Sequence, residues 1–242
     1  MYVFVEGGIA AGKSTLVEYV SKKVESIRGR RLVTVTEPVD DWSDPIDEDG
    51  NGILQLYYMD KKKYGLLFQS TVLNSRVSQL FAARKKHGNA IILSERSPAS
   101  GGIFAKQMLV EGSLTPLELK LHGKWLRDKE EIVPTTAIIY LRSTPVLCKE
   151  RCDTRNRKGE DLISIGLLES LHDHHETYID EKKKEGVPVL VLDASLPTST
   201  HVVEIVEFLE SLPTFSTPKV TISQATLEFN KCPNGLRVCE SV

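Results

Sequence analysis

Apolar positions along this chain follow two alternating patterns. Short runs that are apolar almost throughout stand at Tyr2–Glu6, Leu32–Thr36, Ala90–Ser94, Thr136–Leu141 and Pro188–Leu192. Such runs suit strands covered on both faces. Between them lie longer stretches with apolar residues at helical spacing. These are about Lys13–Ile27, Ile53–Tyr64, Leu66–Lys86, Pro116–Glu131, Pro145–Asp153, Ile165–Lys184 and Thr198–Leu212. Strand–helix alternation of this kind predicts right-handed crossovers and a parallel sheet, here of five strands, flanked by helices. Ligands of such sheets bind at the carboxyl ends of the strands. The helical pattern stops beyond Pro213, so the reading is one α/β domain over residues 1–213 and a tail over 214–242. The tail holds one strand-like run, Lys219–Ile222, read as a short hairpin or a mobile end. The acidic stretch Asp40 to Gly52 reads as a surface loop.

Composition narrows this picture. The chain has 242 residues, 40% hydrophobic and 26% charged, enough for one domain with a substantial core. A net charge of −2 gives no overall basic footprint for nucleic acid. No apolar run is long enough to span a bilayer, and the first strand begins too early for a cleavable leader. The expectation is a soluble, cytoplasmic protein. Cys148 and Cys152, four apart on an expected helix, have no clustered partner ligands, and with Cys232 and Cys239 they read as free thiols. His172, His174, His175 and Glu176 invite a metal reading, but a solvated helix face explains them more simply.

The chemistry begins at the first strand's end. Residues 7 to 15, Gly-Gly-Ile-Ala-Ala-Gly-Lys-Ser-Thr, fit G-x-x-x-x-G-K-[ST], with an apolar strand before and a helix after. Gly7 and Gly12 let the backbone turn so that successive N–H groups face one anion, and the helix N-terminus adds partial positive charge. Gly7, Gly8, Ile9, Ala10, Ala11, Gly12, Lys13, Ser14 and Thr15 are therefore expected to hold a nucleoside triphosphate. Lys13 would reach the outer phosphates, and Ser14 would hold Mg²⁺.

Carboxylates close the next two expected strands. Glu37, before Pro38 and Val39, is read as a general base for an attacking hydroxyl. Glu95 would hold Mg²⁺ directly or through water, and Arg96 would contact the hydroxyl and the transferring phosphoryl group. Arg151, Arg155 and Arg157 form a basic group whose guanidinium forks suit phosphate oxygens, as a phosphate clamp would. Glu160, just past them, is placed to return to a sugar hydroxyl. On the expected helix from Leu66, Gln69 and Arg76 stand on or near an apolar stripe with Phe68 and Val72. An amide offers a donor and an acceptor together, which suits a nucleobase edge.

Together these residues resemble the deoxynucleoside kinases, the family of deoxycytidine kinase, deoxyguanosine kinase, mitochondrial thymidine kinase and the insect multisubstrate enzyme. The resemblance runs from Tyr2 to about Asp193. It rests on residues 7–15, on Glu-Pro-Val at 37–39 with Trp42, and on Tyr58. It continues through Phe68-Gln69, Glu95-Arg96-Ser97, Ile103-Phe104-Ala105, the three arginines, Glu160, and Leu171-His172. It implies the P-loop nucleoside kinase fold with an arginine-rich lid at about 151–161, ATP as donor with Mg²⁺, a deoxynucleoside acceptor and a homodimer. It implies Glu37 as base at the sugar 5′-hydroxyl with Arg96 and Lys13 beside it, and Mg²⁺ at Ser14 and Glu95. Gln69 would bond the base edge, Phe104 would stack on it and Trp42 would line the pocket. Tyr58 and Glu160 would bind the 3′-hydroxyl. Ile9, Leu54, Phe68, Val72, Arg76 and Gly101 complete the substrate contacts.

One stretch departs from the family pattern. Pro98-Ala99-Ser100-Gly101-Gly102 is one residue short. It lacks the aspartate that in the deoxycytidine and purine enzymes pairs with an arginine matching Arg76. Val72 instead resembles the pyrimidine-accepting enzymes, so the expectation is a kinase of thymidine, deoxycytidine or both. A thymidylate kinase is the nearest rival; its acceptor phosphate favours cations near the second strand, where this chain has Glu37, Asp40 and Asp41. A non-catalytic kinase-like subunit is the rival from another class.

Overall fold

The computed structural model describes residues 1–44, 46–155 and 163–213. Arg157, Glu160, the tail run 219–222, Cys232 and Cys239 lie outside the described residues. The strands are β1 (Tyr2–Glu6), β2 (Ser26–Ile27), β3 (Arg30–Val35), β4 (Ile91–Glu95), β5 (Ala137–Arg142) and β6 (Val189–Asp193). The helices are α1 (Lys13–Lys23), α2 (Ile53–Met59), α3 (Lys61–His87), α4 (Ser100–Val110), α5 (Pro116–Ile132), α6 (Pro145–Arg155), α7 (Ile165–Lys184) and α8 (Val202–Ser211).

The sheet order is β2-β3-β4-β1-β5-β6. The expected strands pair in parallel, Val3 lying opposite Leu93 on one side and Ala137 on the other. β1 is central and wholly buried, and its side chains alternate between two layers. Val3 and Val5 pack with Leu16, Val17, Val20, Ile205 and Leu209, under α1 and α8. Tyr2 and Phe4 face Leu73, Val77 and Leu80 of α3. Each such side chain removed from water contributes roughly 1.5–3 kcal/mol before the entropy of ordering it is counted.

Four boundaries differ from the sequence expectation. The sheet has six strands rather than five, because α1 stops at Lys23 and Ser26–Ile27 pairs antiparallel with Arg30–Arg31. Arg28 and Gly29 both have positive φ, 47° and 73°, the conformation of a two-residue hairpin turn. The break between α2 and α3 falls at Asp60, whose carboxylate accepts a hydrogen bond from the Lys63 backbone N–H at 3.0 Å and so caps α3. The last helix starts at Val202, after a 3₁₀ turn over Thr198–His201. Helix α4 was not expected, since the Gly101-Gly102 pair reads as a breaker. Here the small residue suits close packing: a Cβ on Gly101 would stand 3.3 Å from the His122 ring of α5, which would have to give slightly.

Candidate active site

Two cavities of nearly equal size, about 460 and 450 Å³, open at the carboxyl ends of the strands. Both are lined by Ala10, Lys13, Ser14, Glu95 and Arg155, so the loop after β1 is the wall between them.

The second cavity is built on that loop. Ala10 through Leu16 line it, with Arg151, Ala194, Leu196, Thr198 and His201. A Cβ at Gly7 would stand 2.7 Å from the Leu141 carbonyl oxygen, so only glycine lets the loop lie this close to β5. Gly12 caps α1 with φ 101°, a conformation that favours glycine. Its cap leaves the first backbone N–H groups of α1 without a side-chain partner, a ready anion site. Arg151 donates to the carbonyls of Ala11 at 2.9 Å and Ala194 at 2.7 Å, tying the loop to the segment after β6. Lys13 is buried and donates to the Gly8 carbonyl at 2.7 Å. Burial, then the charge of Arg96, lowers its pKa to about 8.

Every substrate-contact residue named from the sequence and lying within the described residues lines the first cavity: Ile9, Glu37, Trp42, Leu54, Tyr58, Phe68, Gln69, Val72, Arg76, Arg96, Gly101 and Phe104. Phe68 stacks on Tyr57 with centroids 4.8 Å apart and meets Trp42 edge-on at 6.0 Å. The Trp42 indole N–H donates to Ser75 Oγ at 3.0 Å. The Gln69 amide donates to Met108 Sδ at 3.2 Å, and its oxygen has no partner. These groups form an aromatic slot with one amide in its wall.

Charge gathers where β3 and β4 end. Glu37 is bonded to Arg76 and stands 3.6 Å from Arg96 Nε. Burial alone would raise the pKa of its carboxyl, but Arg76, Arg96 and Lys13 outweigh it and hold the group ionised, below the usual carboxylate range. Arg96 has φ 61°, a left-handed conformation that costs a non-glycine residue about 1–3 kcal/mol. Its N–H donates to the Val5 carbonyl at 3.0 Å, and the buried Glu6 carboxylate takes the Ser97 N–H at 2.9 Å and the Ser100 hydroxyl at 2.5 Å. These bonds hold the turn in place. They lay the Arg96 guanidinium over the Phe104 ring, 4.7 Å from its centroid.

Ser14 donates to Glu95 Oε1 at 2.9 Å. A hydroxyl beside one carboxylate is a hard-oxygen pair, and it fits Mg²⁺, which takes one or two protein oxygens and completes its shell with phosphate and water. No group of three or more His, Cys, Asp or Glu side chains stands together among the described residues. His175 departs from the solvated-face expectation. It is buried, and its Nδ1 lies 2.6 Å from the Leu171 carbonyl. Glu176 pairs with Arg142 at 2.6 Å and accepts from Tyr140 at 2.8 Å. Cys148 and Cys152 are buried and are not joined in a disulfide.

Sequence reasoning missed several lining residues. Gln107, Met108 and Glu111 line the first cavity with Phe104, at helical spacing i, i+3, i+4 and i+7 on α4 and its C-cap. That spacing was the available signal, hidden by the two glycines. Tyr57 and Lys61 were also missed, as were Thr198 and His201 in the second cavity.

A mostly parallel sheet with a phosphate loop after its β1 strand, and a second cavity against the loop's lysine, defines a P-loop phosphotransferase fold. The chain belongs to the deoxynucleoside kinase family, whose sequence model matches residues 3–212. It is 31% identical to deoxycytidine kinase 2 of Gallus gallus over 221 residues, 80% of this chain and 82% of that one. Mitochondrial deoxyguanosine kinase of Xenopus laevis is 31% identical over 218 residues, 78% of this chain and 79% of its own. Human mitochondrial thymidine kinase 2 is 29% identical over 199 residues, 79% and 70% of the two chains. The chain is thus a nucleoside-directed phosphotransferase that draws on a nucleotide phosphate donor.

Proposed function

We propose that this enzyme phosphorylates the 5′-hydroxyl of pyrimidine deoxynucleosides, thymidine or deoxycytidine or both, from ATP in nucleotide salvage. One observation carries the reading: the first cavity pairs an aromatic slot, in which the Gln69 amide oxygen has no protein partner, with an ionised carboxylate at its phosphate-loop end. The base would lie between Phe68 and Phe104 with Gln69 on its edge. An amide presents donor and acceptor side by side, and turning it over exchanges them, so it matches either thymine or cytosine. Ile9, Trp42, Leu54, Val72 and Gly101 shape the slot, and Tyr58 with Glu160 holds the 3′-hydroxyl.

The sugar 5′-oxygen would then stand at Glu37. Its proton passes to the Glu37 carboxylate as the oxygen bonds to the γ-phosphorus, and the bond from that phosphorus to the bridging oxygen breaks to release the diphosphate. Gly7 to Thr15 would cradle the donor phosphates, and Arg96, Lys13, Arg151, Arg155 and Arg157 would offset the charge that builds up. Ser14 and Glu95 would hold Mg²⁺, which neutralises phosphate charge when bound. On this reading residues 1–213 are the catalytic domain, 151–161 its lid and 214–242 an appended tail. No helix of the described residues is long and apolar enough to cross a membrane, and we place the enzyme in the cytoplasm. We also propose a homodimer, since Leu117, Leu121 and Trp125 recur at helical spacing on the exposed face of α5.

An assay of the purified chain with four deoxynucleosides, thymidylate and ATP–Mg²⁺ tests this. Turnover of thymidine or deoxycytidine is expected. Turnover of purine deoxynucleosides alone would overturn the base assignment, and turnover of thymidylate alone would overturn the acceptor. The rival of a non-catalytic subunit gains nothing from relatives that are named as kinases.

A further inference from the structure

Arg76 is the one cation on the buried stripe of α3, two helical turns beyond Gln69. The stretch after β4 offers it no carboxylate, because residues 98–102 are Pro-Ala-Ser-Gly-Gly. The guanidinium turns instead to the ends of β3 and β4. Its Nη2 bonds Glu37 Oε1, and its Nη1 donates to the Ser97 carbonyl at 3.3 Å. Arg96 approaches the other Glu37 oxygen, Oε2. Two guanidinium groups thus take one carboxylate oxygen each. Gln69 meanwhile bonds Met108 of α4.

A glutamate side chain left to itself samples several rotamers. A planar guanidinium anchored on a backbone carbonyl removes that freedom, because its donors lie in a fixed fork. Resting on the reading of Glu37 as the base, we propose that Arg76 is a positioning residue for Glu37, and that it leaves the reading of the nucleobase to Gln69. Arg76 acts at the hydroxyl end of the pocket. It aims the Glu37 oxygens along the path by which the 5′-hydroxyl arrives, and a small loss of aim at a reacting group costs up to about a hundredfold in rate.

The test is steady-state kinetics of Arg76→Met, Arg76→Lys, Glu37→Gln and the double variant Glu37→Gln/Arg76→Met, with thymidine and deoxycytidine. Circular dichroism and thermal melting check that each is folded. Arg76→Met is expected to lower kcat about tenfold to a hundredfold on both substrates, leaving KM and the thymidine-to-deoxycytidine ratio of kcat/KM within about threefold. Arg76→Lys, which keeps the charge, should recover part of the loss and serves alone if the methionine variant unfolds. In the Glu37→Gln background Arg76→Met should add less than about threefold, because residues that act as a unit are not additive. A tenfold or larger change in the base ratio with kcat intact would overturn the proposal, as would losses that multiply in the double variant. A wild-type enzyme that phosphorylates no deoxynucleoside would instead overturn the proposed function, so the two failures are distinguishable.

Discussion

The two cavities on either side of Lys13 are alike in volume and unlike in construction. The donor side is mostly one continuous piece of chain, Ala10 through Leu16, closed by Arg151 and the segment after β6. Its binding groups are largely backbone N–H at a helix start, placed by glycine conformations. The acceptor side is assembled from the ends of β3 and β4 and from α2, α3, α4 and α7, and its binding groups are side chains. On the proposed reading, phosphate recognition rests mainly on one continuous segment, braced by β5 and Arg151. Hydroxyl and base recognition would exist only once distant elements have packed.

That contrast is open to attack, beginning with the largest effect. Glu37→Gln should lower kcat by about 10²–10⁴-fold while the KM for ATP holds, since the carboxylate belongs to the acceptor side alone. Initial-rate kinetics with both substrates varied decide it, and an unchanged kcat removes the base. Lys13→Ala should cost about 10²–10³-fold, because a preorganised charge at the transferring phosphates is lost. Here calorimetry should show weakened triphosphate binding with deoxynucleoside affinity kept. Equal weakening of both would mean that the loop's lysine serves the two sides alike.

Gln69→Leu should weaken only the acceptor side, by about 1–3 kcal/mol in kcat/KM, the cost of leaving a buried polar edge of the base unpaired. A matching loss in donor KM would break the division between the cavities. The smallest effect concerns pH and the wall behind Phe104, where the His175 ring stands edge-on with centroids 6.4 Å apart. Burial, then the charge of Arg96, lowers the His175 pKa from 6.5 to about 3. Between those values the unfolded chain binds a proton that the folded chain refuses. Stability from this site is therefore complete above about pH 6.5 and is lost as pH falls towards 3. Glu37, held ionised in the folded chain, acts with the same sign. Denaturant midpoints of His175→Phe should fall less steeply with acid than those of the unaltered chain. Parallel curves would leave the acid sensitivity to other groups.

The legible parts of the site were those whose chemistry is written in consecutive residues. The phosphate loop, Glu37 and the Glu95-Arg96 pair could be read because each closes a strand whose apolar run is unmistakable. Phe68 and Gln69 were legible as a pair on a helix. Gln107, Met108 and Glu111 were not, because Gly101-Gly102 argues against a helix locally, and the close approach of Gly101 to His122 is made by another element. His175 looked like part of a polar face. Only the packing of α7 against the sheet buries it beside Tyr140 and Phe104.

By itself the sequence determined the layering of the sheet, the phosphate loop and the identity of the charged groups that meet it, since periodicity and glycine placement act over a few residues. The partner of Arg76 was decided by the tertiary structure alone. A long side chain bonds whatever stands across the pocket when the elements pack, and Glu37 reaches that place from the loop after β3, 39 positions away along the chain from Arg76 on α3.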